Sequence, residues 1–531
     1  MKKLFVIIWL LPFLSTCQSK AIFDNYTHRY NLHYDSDSQK NGDVQGWRMS
    51  QRTFYSCVPM LMQKGERRFA VFEHLQDSMA HQGNRLWVDW SQRFPLPSKA
   101  IKEGQAILTH AGKEVEKAAL IITGFDSNEN LCYTERCPLA IAPDEFRTDT
   151  LCFSLSSMEL IDFRIEVMGA LDRDARFAVS GVDITLDGKP LDEYPLRVLN
   201  ATLPTDFSRT IIPFELATAK GFDKLVELKK KRIIALGESV HGSKTMQESK
   251  YNIVEQQIAD GRCKMLLLEE SLSRSIWINK YVHVGDSLSE KKALQGEDAS
   301  TKEFLRWIWN YNKDKKEEDK VQVWGMDWDI DAASQDKDIK DYVEAMDALS
   351  PADSACVTHI YHLSAMVGND MGRRSMLRDS VMFANARFLI DDYLPKGKTA
   401  FILAHNGHVN LLSAYPAVQE GAPLGQMMRN YYQDDYYSIG MLVGGGFIYS
   451  LNEEKMRVEA LPLYNLDTSL EASLNQVKGD VFFFHLPYEM DKLLMSRLQG
   501  TSCAARGYFP INLYRRHDGF IFIRHSEAEN K

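Results

Sequence analysis

The sequence predicts a multidomain protein in which an all-β sandwich precedes an α/β domain with a mostly parallel sheet and helical inserts. Up to about Asn200, short β-rich runs follow one another between turn residues, whereas after Arg209 apolar runs alternate with segments of helical periodicity. A chain of 531 residues also exceeds what a single core usually fills. We therefore expect a sandwich over 22–200, a linker over 201–213 and an α/β catalytic domain over 214–531.

The composition is that of an ordinary globular protein, with 44% hydrophobic and 25% charged residues. The net charge of -9 is modest for this length, and no run of Lys and Arg with interleaved aromatic residues occurs. Nucleic acid is therefore not expected as a partner. No stretch of about 18 uncharged apolar residues follows the first segment, so a transmembrane helix is not expected either.

The first segment, 1–17, is typical of an export signal and is excluded from the fold. Met1 to Lys3 is basic, and Leu4 to Leu14 is apolar but too short to span a membrane. The segment ends in Leu-Ser-Thr-Cys17, which resembles a bacterial lipobox, where cleavage leaves a lipid-modified cysteine. We expect a cell-envelope lipoprotein anchored to the membrane through Cys17, the alternative being a cleaved signal and a periplasmic or secreted protein.

Cysteine usage sets a limit on disulfides, since an odd number of cysteines in an exported protein leaves at least one thiol free or intermolecular. The separation of Cys132 and Cys137 would suit a small closed loop, and no spacing is that of a zinc finger. Beyond Cys17, the chain contains Cys57, Cys132, Cys137, Cys152, Cys263, Cys356 and Cys503.

The β-rich part has regularly spaced strands without intervening helices, which favours a sandwich of jelly-roll type. Asp187-Gly188 between apolar segments predicts a hairpin turn. The segment Asn41 to Trp47 and the final strand pair resemble carbohydrate-binding sandwich modules, which implies glycan contact through this domain; a packing or spacer domain is the alternative. The predicted strands are Arg68 to Phe72, Ala106 to Thr109, Ala118 to Thr123, Thr150 to Leu155, Phe163 to Met168 and Arg176 to Leu186.

The α/β part begins with a predicted helix over Phe214 to Lys231, followed by a buried strand over Arg232 to Leu236. A second helix is predicted over Ser243 to Asp260, closed by Gly261. Further buried strands are predicted at Cys263 to Leu268, Val321 to Gly325, Ala400 to Ala404, Tyr437 to Val443, Asp480 to Phe484 and Gly519 to Ile523.

Four of these strands are followed directly by acids or histidines. In an open α/β sheet, ligands bind in the crevice beyond the carboxyl ends of the strands, so these side chains are expected at one active edge. In strand order they are Glu238 and His241, then Glu269, then Asp327, then His405 and His408.

Two inserts, between the second and third strands and from Lys337 to Leu394, are helical and too long for simple crossovers. They could form a helical cap over the active edge. Aromatic residues at helical spacing in the first insert are expected in the core, a substrate pocket being the alternative: Trp277, Tyr281, Trp307, Trp309 and Tyr311.

The candidate residues allow three chemistries. A histidine can activate water while a carboxylate fixes its tautomer. Glu-x-x-His and His-x-x-His are also spacings that can bind zinc or manganese. Ser239 lies in Gly-Glu-Ser-Val-His, which is similar to a nucleophile elbow, but His241 replaces the final glycine that the sharp turn requires. Lys250 follows on a partly apolar helix face, where it either extends to solvent or points at the site.

Four motifs stand out in the α/β part: Gly237-Glu238-x-x-His241-Gly242, Glu269 after an apolar strand, Arg378-Asp379-x-x-Met382-x-x-Asn385 and Ala404-His-Asn-Gly-His-Val409. Gly425, Asp435-Tyr436-Tyr437 and Phe520 follow them in the chain. In this order and spacing the motifs resemble the erythromycin esterase family, and the resemblance covers about Phe214 to His525.

The resemblance implies hydrolysis of an ester or lactone without a metal, a cofactor or a covalent acyl-enzyme. Carried over by position, His241 matches the catalytic base, Glu238 and Glu269 match acidic site residues, and His405 and His408 match the later histidines. We expect substrate contacts from Lys250, Arg378 and Asp327, although characterised members commonly have arginine where Lys250 stands, which keeps the charge but loses the bidentate fork.

The expected substrate is a small-molecule or carbohydrate ester. Two alternatives stay open: a metal-dependent hydrolase that uses the same Glu and His set, and a non-catalytic surface protein that binds glycans.

Overall fold

The computed structural model describes residues 30–34, 47–49, 59–73, 87–143, 145–169, 175–195, 197, 199–329, 331–369, 371–412, 422–452, 457–463, 465–497 and 508–529. The predicted signal 1–17, with Cys17, lies outside these residues, as does most of the segment Asn41 to Trp47. Within the described ranges, no helix combines the length and apolarity needed to cross a membrane.

The N-terminal part consists of antiparallel strands in two sheets, which confirms the predicted all-β sandwich. One sheet has the strand order β1-β4-β9-β6-β7, and the other has β2-β3-β10-β5-β8 with β11 paired to β10. The strands are β1 (Trp47–Met49), β2 (Met60–Lys64), β3 (Arg67–Glu73), β4 (Trp87–Pro95), β5 (Glu103–Lys113), β6 (Val115–Phe125), β7 (Leu131–Pro138), β8 (Arg147–Ser154), β9 (Leu160–Gly169), β10 (Arg176–Leu186) and β11 (Lys189–Pro190).

Both sheets contribute to one apolar core. Trp90 on β4 and Phe163 on β9 come from the first sheet, and Phe72 on β3 and Phe177 on β10 come from the second. Successive strands often change sheet, as in a jelly roll. The predicted hairpin turn is present, since Leu186 pairs with Lys189 across Asp187-Gly188, and both turn residues have positive φ.

The C-terminal part contains a long mixed sheet with helices between its strands. The strands of this part are β12 (Ile212–Pro213), β13 (Ile233–Glu238), β14 (Cys263–Ser271), β15 (Gln322–Asp327), β16 (Thr399–His405), β17 (Tyr436–Val443), β18 (Gly446–Asn452), β19 (Arg457–Leu463), β20 (Val481–Phe484), β21 (Leu494–Arg497), β22 (Tyr508–Ile511) and β23 (Gly519–Ile523). Of these, β18 pairs with β19 and β21 pairs with β22 in two separate two-stranded sheets.

The helices of this part lie between the strands of the large sheet. They are α1 (Lys244–Ala259), α2 (Leu272–Val284), α3 (Ser287–Leu294), α4 (Ala299–Asn312), α5 (Ala332–Ala345), α6 (Pro351–Val367), α7 (Met371–Met376), α8 (Arg378–Tyr393), α9 (Asn406–Val409), α10 (Leu424–Tyr432) and α11 (Leu470–Leu474).

The large sheet has the order β12-β20-β23-β17-β13-β16-β14-β15. Its pairs from β23 to β15 are parallel, whereas β20 and β12 pair antiparallel at one edge. Ile233 and Ala235 of β13 face one apolar cluster and Ile234 and Leu236 face the other, because side chains alternate along a strand. The sheet is therefore covered on both faces, and the predicted parallel α/β class is confirmed.

The helical inserts form these face layers. In α2, Leu272 and Ile276 pack on one face of the sheet, whereas Ile278 and Val282 belong to the cluster on the other face. Among the described residues, the second insert also reaches the active edge, because Val367 of α6 and Val381 of α8 pack on Trp328, which directly follows β15. The beginning of α8 brings two charged side chains into the site, and a cap over this edge stays a prediction. The five aromatic residues of the first insert pack in or against the core, as expected: Trp277, Tyr281, Trp307, Trp309 and Tyr311.

Two expectations for the segment before β13 fail. The predicted helix over Phe214 to Lys231 is wrong, because only short 3-10 turns form at Phe222–Lys224 and Val226–Lys230. Gly221, with a φ of 112°, interrupts the segment before an α-helix can propagate. The expected linker 201–213 packs closely, since it buries Ala201 and Phe207 and ends in the edge strand β12.

The closed loop suggested for Cys132 and Cys137 does not form. Both residues lie on the extended strand β7, and both thiols are free. Five residues of strand separate their backbones by roughly 16 Å, far beyond the reach of a disulfide. The other described cysteines, Cys152, Cys263 and Cys356, are also free, and Cys57 and Cys503 lie outside the described residues.

Candidate active site

The predicted site residues converge at the carboxyl edge of the parallel sheet. Glu238 ends β13 and His405 ends the adjacent β16, and the two residues are register partners. Glu269 lies near the end of β14, next to β16, and Asp327 ends β15 beyond it. Four neighbouring strands thus place their polar ends side by side.

A three-residue relay lies at the centre of the site. Nδ1 of His241 is 2.7 Å from Oε1 of Glu238, and Nζ of Lys250 is 2.5 Å from Oε2 of the same carboxylate. The Glu238 and Lys250 side chains are 8% and 7% exposed, whereas His241 is 38% exposed. Lys250 is therefore aimed at the site, and His241 is the member that faces the cleft.

Electrostatics fix the protonation of this relay. Burial alone would raise the pKa of Glu238, but the Lys250 ammonium and His241 outweigh it and lower the pKa to about 2. For His241, burial lowers the pKa, but the hydrogen bond and the negative charge of Glu238 outweigh burial, so the net pKa lies above the ordinary 6.5. The site thus holds an ionised carboxylate beneath an imidazole of increased basicity.

The loop that carries His241 is held by close backbone contacts. Gly242 has a φ of 77°, and a Cβ there would lie 2.0 Å from the carbonyl oxygen of Tyr449. The carbonyl of Gly242 accepts N–H groups from Tyr449 and Glu529, at 2.8 and 3.0 Å. Ser243 then caps α1 by accepting the N–H of Met246. This glycine is required because the loop is clamped by β18 and the C-terminal segment.

The second acidic group, Glu269, binds several partners at once. Its Oε1 lies 3.2 Å from Nε2 of His408 and 2.9 Å from Nη2 of Arg378, and its Oε2 accepts the backbone N–H of His405 at 2.8 Å. Burial would raise the pKa of Glu269, but the positive charges of His408, Arg378 and His241 hold it well below its usual range. Glu269 therefore stays ionised and joins three elements of the site.

His408 lies between two carboxylates. Its Nδ1 is 2.8 Å from Oδ1 of Asp379, and its Nε2 faces Glu269. Burial lowers the pKa of His408, but the two negative charges more than compensate and raise it to about 10. His408 is consequently a permanent imidazolium at neutral pH, which makes it a source of positive charge and unsuited to act as a base.

His405, unlike His408, has a neutral ring at neutral pH. Its Nδ1 accepts the N–H of Gly407 at 3.2 Å, which places its proton on Nε2. Burial and the nearby His241 charge lower the pKa of His405 to about 3. Its ring centroid lies 4.6 Å from that of His241. Among the described residues, nothing accepts a hydrogen bond from the buried Nε2 atom, so His405 is a neutral donor whose partner must come from outside the described chain.

Arg378 and Asp327 form a supporting pair. Nε and Nη2 of Arg378 contact both carboxylate oxygens of Asp327, and Asp327 also accepts the N–H of Trp328. The Arg378 and Asp327 side chains are 19% and 9% exposed. This geometry favours a role in holding Glu269, and direct substrate contact by Arg378 and Asp327 stays a prediction.

Ser239, considered as a nucleophile, is fully buried, and its Oγ has no hydrogen-bond partner among the described residues. Asp379 was missed as a site residue, although the family motif contains it directly after Arg378. Asn385 of the same motif lies deeper, where its Nδ2 donates to the carbonyl of Met326 at 2.9 Å. It therefore fixes the end of β15.

The described acidic and histidine side chains of the site do not form a metal-binding set. Among the described residues, no group of three or more His, Cys, Asp or Glu side chains is arranged to hold a metal ion. The two central carboxylates, Glu238 and Glu269, are instead bound to protein cations. These donors therefore do not fit a metal centre of the Glu-x-x-His type.

Comparison with known proteins was made at the levels of sequence family and fold. A succinoglycan biosynthesis protein of known structure is 16% identical, with a TM-score of 0.48 over 61% of this chain and 97% of that chain. A Bacillus cereus protein is 17% identical, with a TM-score of 0.47 and the same coverage. A mutant of the erythromycin esterase EreC in its open conformation is 15% identical, with a TM-score of 0.41 over 58% of this chain and 95% of that chain.

No curated protein matches the chain. The sequence-family comparison, in contrast, matches residues 352–526 to the erythromycin esterase model. This range includes His405, His408, Arg378 and Asp379, whereas the relay of His241, Glu238 and Lys250 precedes it. Residues 352–526 thus match the erythromycin esterase model, which confirms for that part of the chain the resemblance seen in the sequence.

Proposed function

We propose that the protein is a hydrolase of carboxylic esters or lactones in which His241 activates water. The observation that carries this proposal is the relay from Lys250 through Glu238 to His241, set beside the unpaired donor of His405. The erythromycin esterase match over residues 352–526 supports the same class of reaction.

The relay supplies a general base. Nδ1–H of His241 donates a hydrogen bond to Glu238, so the proton of the neutral ring stays on Nδ1. The lone pair of Nε2 is then available to accept a proton from water. The ionised carboxylate also stabilises the imidazolium that forms when His241 accepts a proton. Lys250 and His241 together keep Glu238 ionised despite its burial.

The reaction then proceeds in two balanced steps. In the first, Nε2 of His241 takes a proton from water while the water oxygen bonds to the carbonyl carbon, and the carbonyl oxygen becomes an oxyanion. In the second, the oxyanion reforms the carbonyl, the bond to the alcohol oxygen breaks, and the His241 imidazolium donates its proton to that oxygen. The products are a carboxylic acid and an alcohol, or one hydroxy acid from a lactone.

His405 is the group that we assign to the oxyanion. Its Nε2–H is buried, and the low pKa of about 3 keeps the ring neutral with its proton on this atom. A pre-oriented donor in a site of low exposure stabilises developing negative charge strongly.

We further propose that the enzyme acts outside the cytoplasm on a small-molecule or carbohydrate ester, anchored through Cys17. The lipobox-like segment supports this location, and the sandwich before the catalytic part supports glycan contact near the substrate.

The test is a hydrolysis screen over aryl esters, carbohydrate acetates and macrolide lactones with wild-type protein, His241→Gln and a control, His485→Gln. His485 is a half-exposed histidine outside the site. His241→Gln should abolish turnover and leave the melting temperature nearly unchanged, whereas His485→Gln should retain activity. Activity in His241→Gln would overturn the mechanism, and a stoichiometric metal in chelator-free protein would favour a metal-dependent hydrolase. Glycan binding without any hydrolysis would favour a non-catalytic surface protein.

A further inference from the structure

The N-terminal sandwich makes a buried charged contact with the catalytic part. Nη2 of Arg516 lies 2.8 and 2.9 Å from the two carboxylate oxygens of Glu129, which belongs to the loop between β6 and β7. The Glu129 and Arg516 side chains are 2% and 1% exposed. Glu129 also accepts the backbone N–H of Asn512 at 2.8 Å. A charge pair so fully removed from water is costly to assemble unless its geometry is closely satisfied.

The backbone of the sandwich loop holds the Glu129 carboxylate in a fixed position. Glu129 has a φ of 62°, a left-handed conformation that is unfavourable for a residue with a side chain. Oδ1 of Asp126 accepts the N–H groups of Asn128 and Asn130 at 2.8 and 2.9 Å, which holds the turn in place. Strain of this kind persists only where the surroundings impose it.

On its other side, Arg516 holds the segment that follows the catalytic histidines. Its carbonyl accepts the N–H of Leu411 at 2.8 Å, and its Nη1 donates to the carbonyl of Leu412 at 3.1 Å. Leu411 and Leu412 follow α9 after one residue, Asn410, and α9 begins after His405 and contains His408.

The turn between the histidines and Leu412 is continuous and well bonded. Nδ2 of Asn410 donates to the carbonyl of Gly407 at 2.7 Å, and its Oδ1 accepts the N–H of Leu412 at 3.0 Å. The carbonyl of Val409 accepts the hydroxyls of Tyr436 and Ser438. A displacement at Leu412 is therefore transmitted to the histidines through a short, hydrogen-bonded path.

We propose that Glu129 of the sandwich is a positioning residue for the catalytic histidines, acting through Arg516 on the turn 405–412. The sandwich thus completes the active site in addition to any role as a spacer or glycan-binding module. This inference rests on the proposed hydrolase function for its effect on turnover, whereas its structural part stands on the contacts alone.

The test compares wild-type protein with Glu129→Gln, a double variant and a matched control. The control is Glu114→Gln, because Glu114 lies in the same sandwich, also has a left-handed backbone with a φ of 54°, and is exposed. The double variant, Glu129→Gln with Arg516→Met, also removes the buried cation that loses its Glu129 carboxylate in the single variant.

Amide hydrogen exchange shows, without a substrate, whether Glu129 stabilises the turn 405–412. In Glu129→Gln the amide of Leu411 should exchange at least about tenfold faster than in wild type, and in Glu114→Gln its rate should be unchanged. An unchanged rate in Glu129→Gln would overturn the proposal. This result holds even if no substrate is hydrolysed, so failure of the proposed function is recognised separately.

Steady-state kinetics measure how far the loss of the Glu129 contact reduces hydrolysis. In Glu129→Gln, kcat should fall by up to about 100-fold while KM stays within about twofold, because the histidines are displaced and the substrate contacts are kept. In the double variant the urea midpoint should recover towards the wild-type value while kcat stays low. Recovery of kcat together with stability would show that Glu129 acts on stability alone and would overturn the positioning role.

Discussion

Replacing Glu238 by Gln removes the negative charge from the centre of the relay and keeps the side-chain volume. The carboxylate that is lost lies 2.7 Å from Nδ1 of His241. A neighbouring opposite charge at this range shifts a pKa by about 1–3 units. The acid limb of kcat/KM, where His241 becomes protonated and can no longer act as a base, should therefore move to lower pH by this amount.

The same change affects stability, because Lys250 keeps its charge and loses its partner. The pKa of Glu238 is lowered from 4.5 to about 2, which corresponds to about 3 kcal/mol of folding free energy. That contribution is present above pH 4.5 and is lost as the pH falls towards 2, since a lowered pKa favours folding only when the group is ionised. Breaking a buried pair costs about 3–5 kcal/mol, in agreement with this value.

Lys250→Met provides the opposite perturbation. The ammonium group opposes protonation of His241, so its removal should raise the pKa of His241 and move the acid limb of kcat/KM to higher pH. Measuring kcat/KM over about pH 5–9 for both variants, with urea unfolding at neutral pH, checks both effects. An acid limb that does not move in Glu238→Gln, or that moves in the same direction in both variants, would refute the reasoning.

Three further outcomes are expected. Ser239→Ala should keep kcat within about twofold, because the buried hydroxyl contacts no base; a large loss in a hydrolysis assay would restore the nucleophile hypothesis. The pKa of His408 is raised from 6.5 to about 10, so its contribution to stability is complete below pH 6.5 and is lost as the pH rises to 10; in urea unfolding, His408→Gln should flatten that dependence, and an unchanged slope would contradict it. Gly242→Ala should destabilise the fold by several kcal/mol, because the added Cβ meets the Tyr449 carbonyl at 2.0 Å; an unchanged urea midpoint would contradict this.

The location of the site could be predicted because parallel strands end at one edge of a sheet. Apolar runs that stop at Glu238, Glu269 and His405 are visible in the sequence, and their convergence follows from the α/β pattern alone. The partners within the site could not be predicted in the same way. Asp379 reaches His408 only because α8 begins at the active edge, and this depends on helix packing that no local pattern specifies.

Some elements of the fold could likewise be predicted from local patterns, and others could not. Strands with strong apolar runs, such as β13 and β16, were predicted within a few residues, because burial on both faces leaves a clear signal. The helix expected over Phe214 to Lys231 failed because its apolar spacing suited a helix, whereas Gly221 and packing against the sheet impose short turns. The contact between Glu129 and Arg516 joins distant parts of the chain, so it cannot be predicted from local sequence patterns.

The hydrogen bond from Glu529 to Gly242 has a consequence for the order of folding. The loop that carries His241 lies near the beginning of the α/β part in sequence. The segment that holds this loop, around Glu529, lies near the end of the same part. Such non-local contacts form slowly, because chain entropy must be lost before they contribute. During refolding, the catalytic base should therefore be among the last groups to reach its final position.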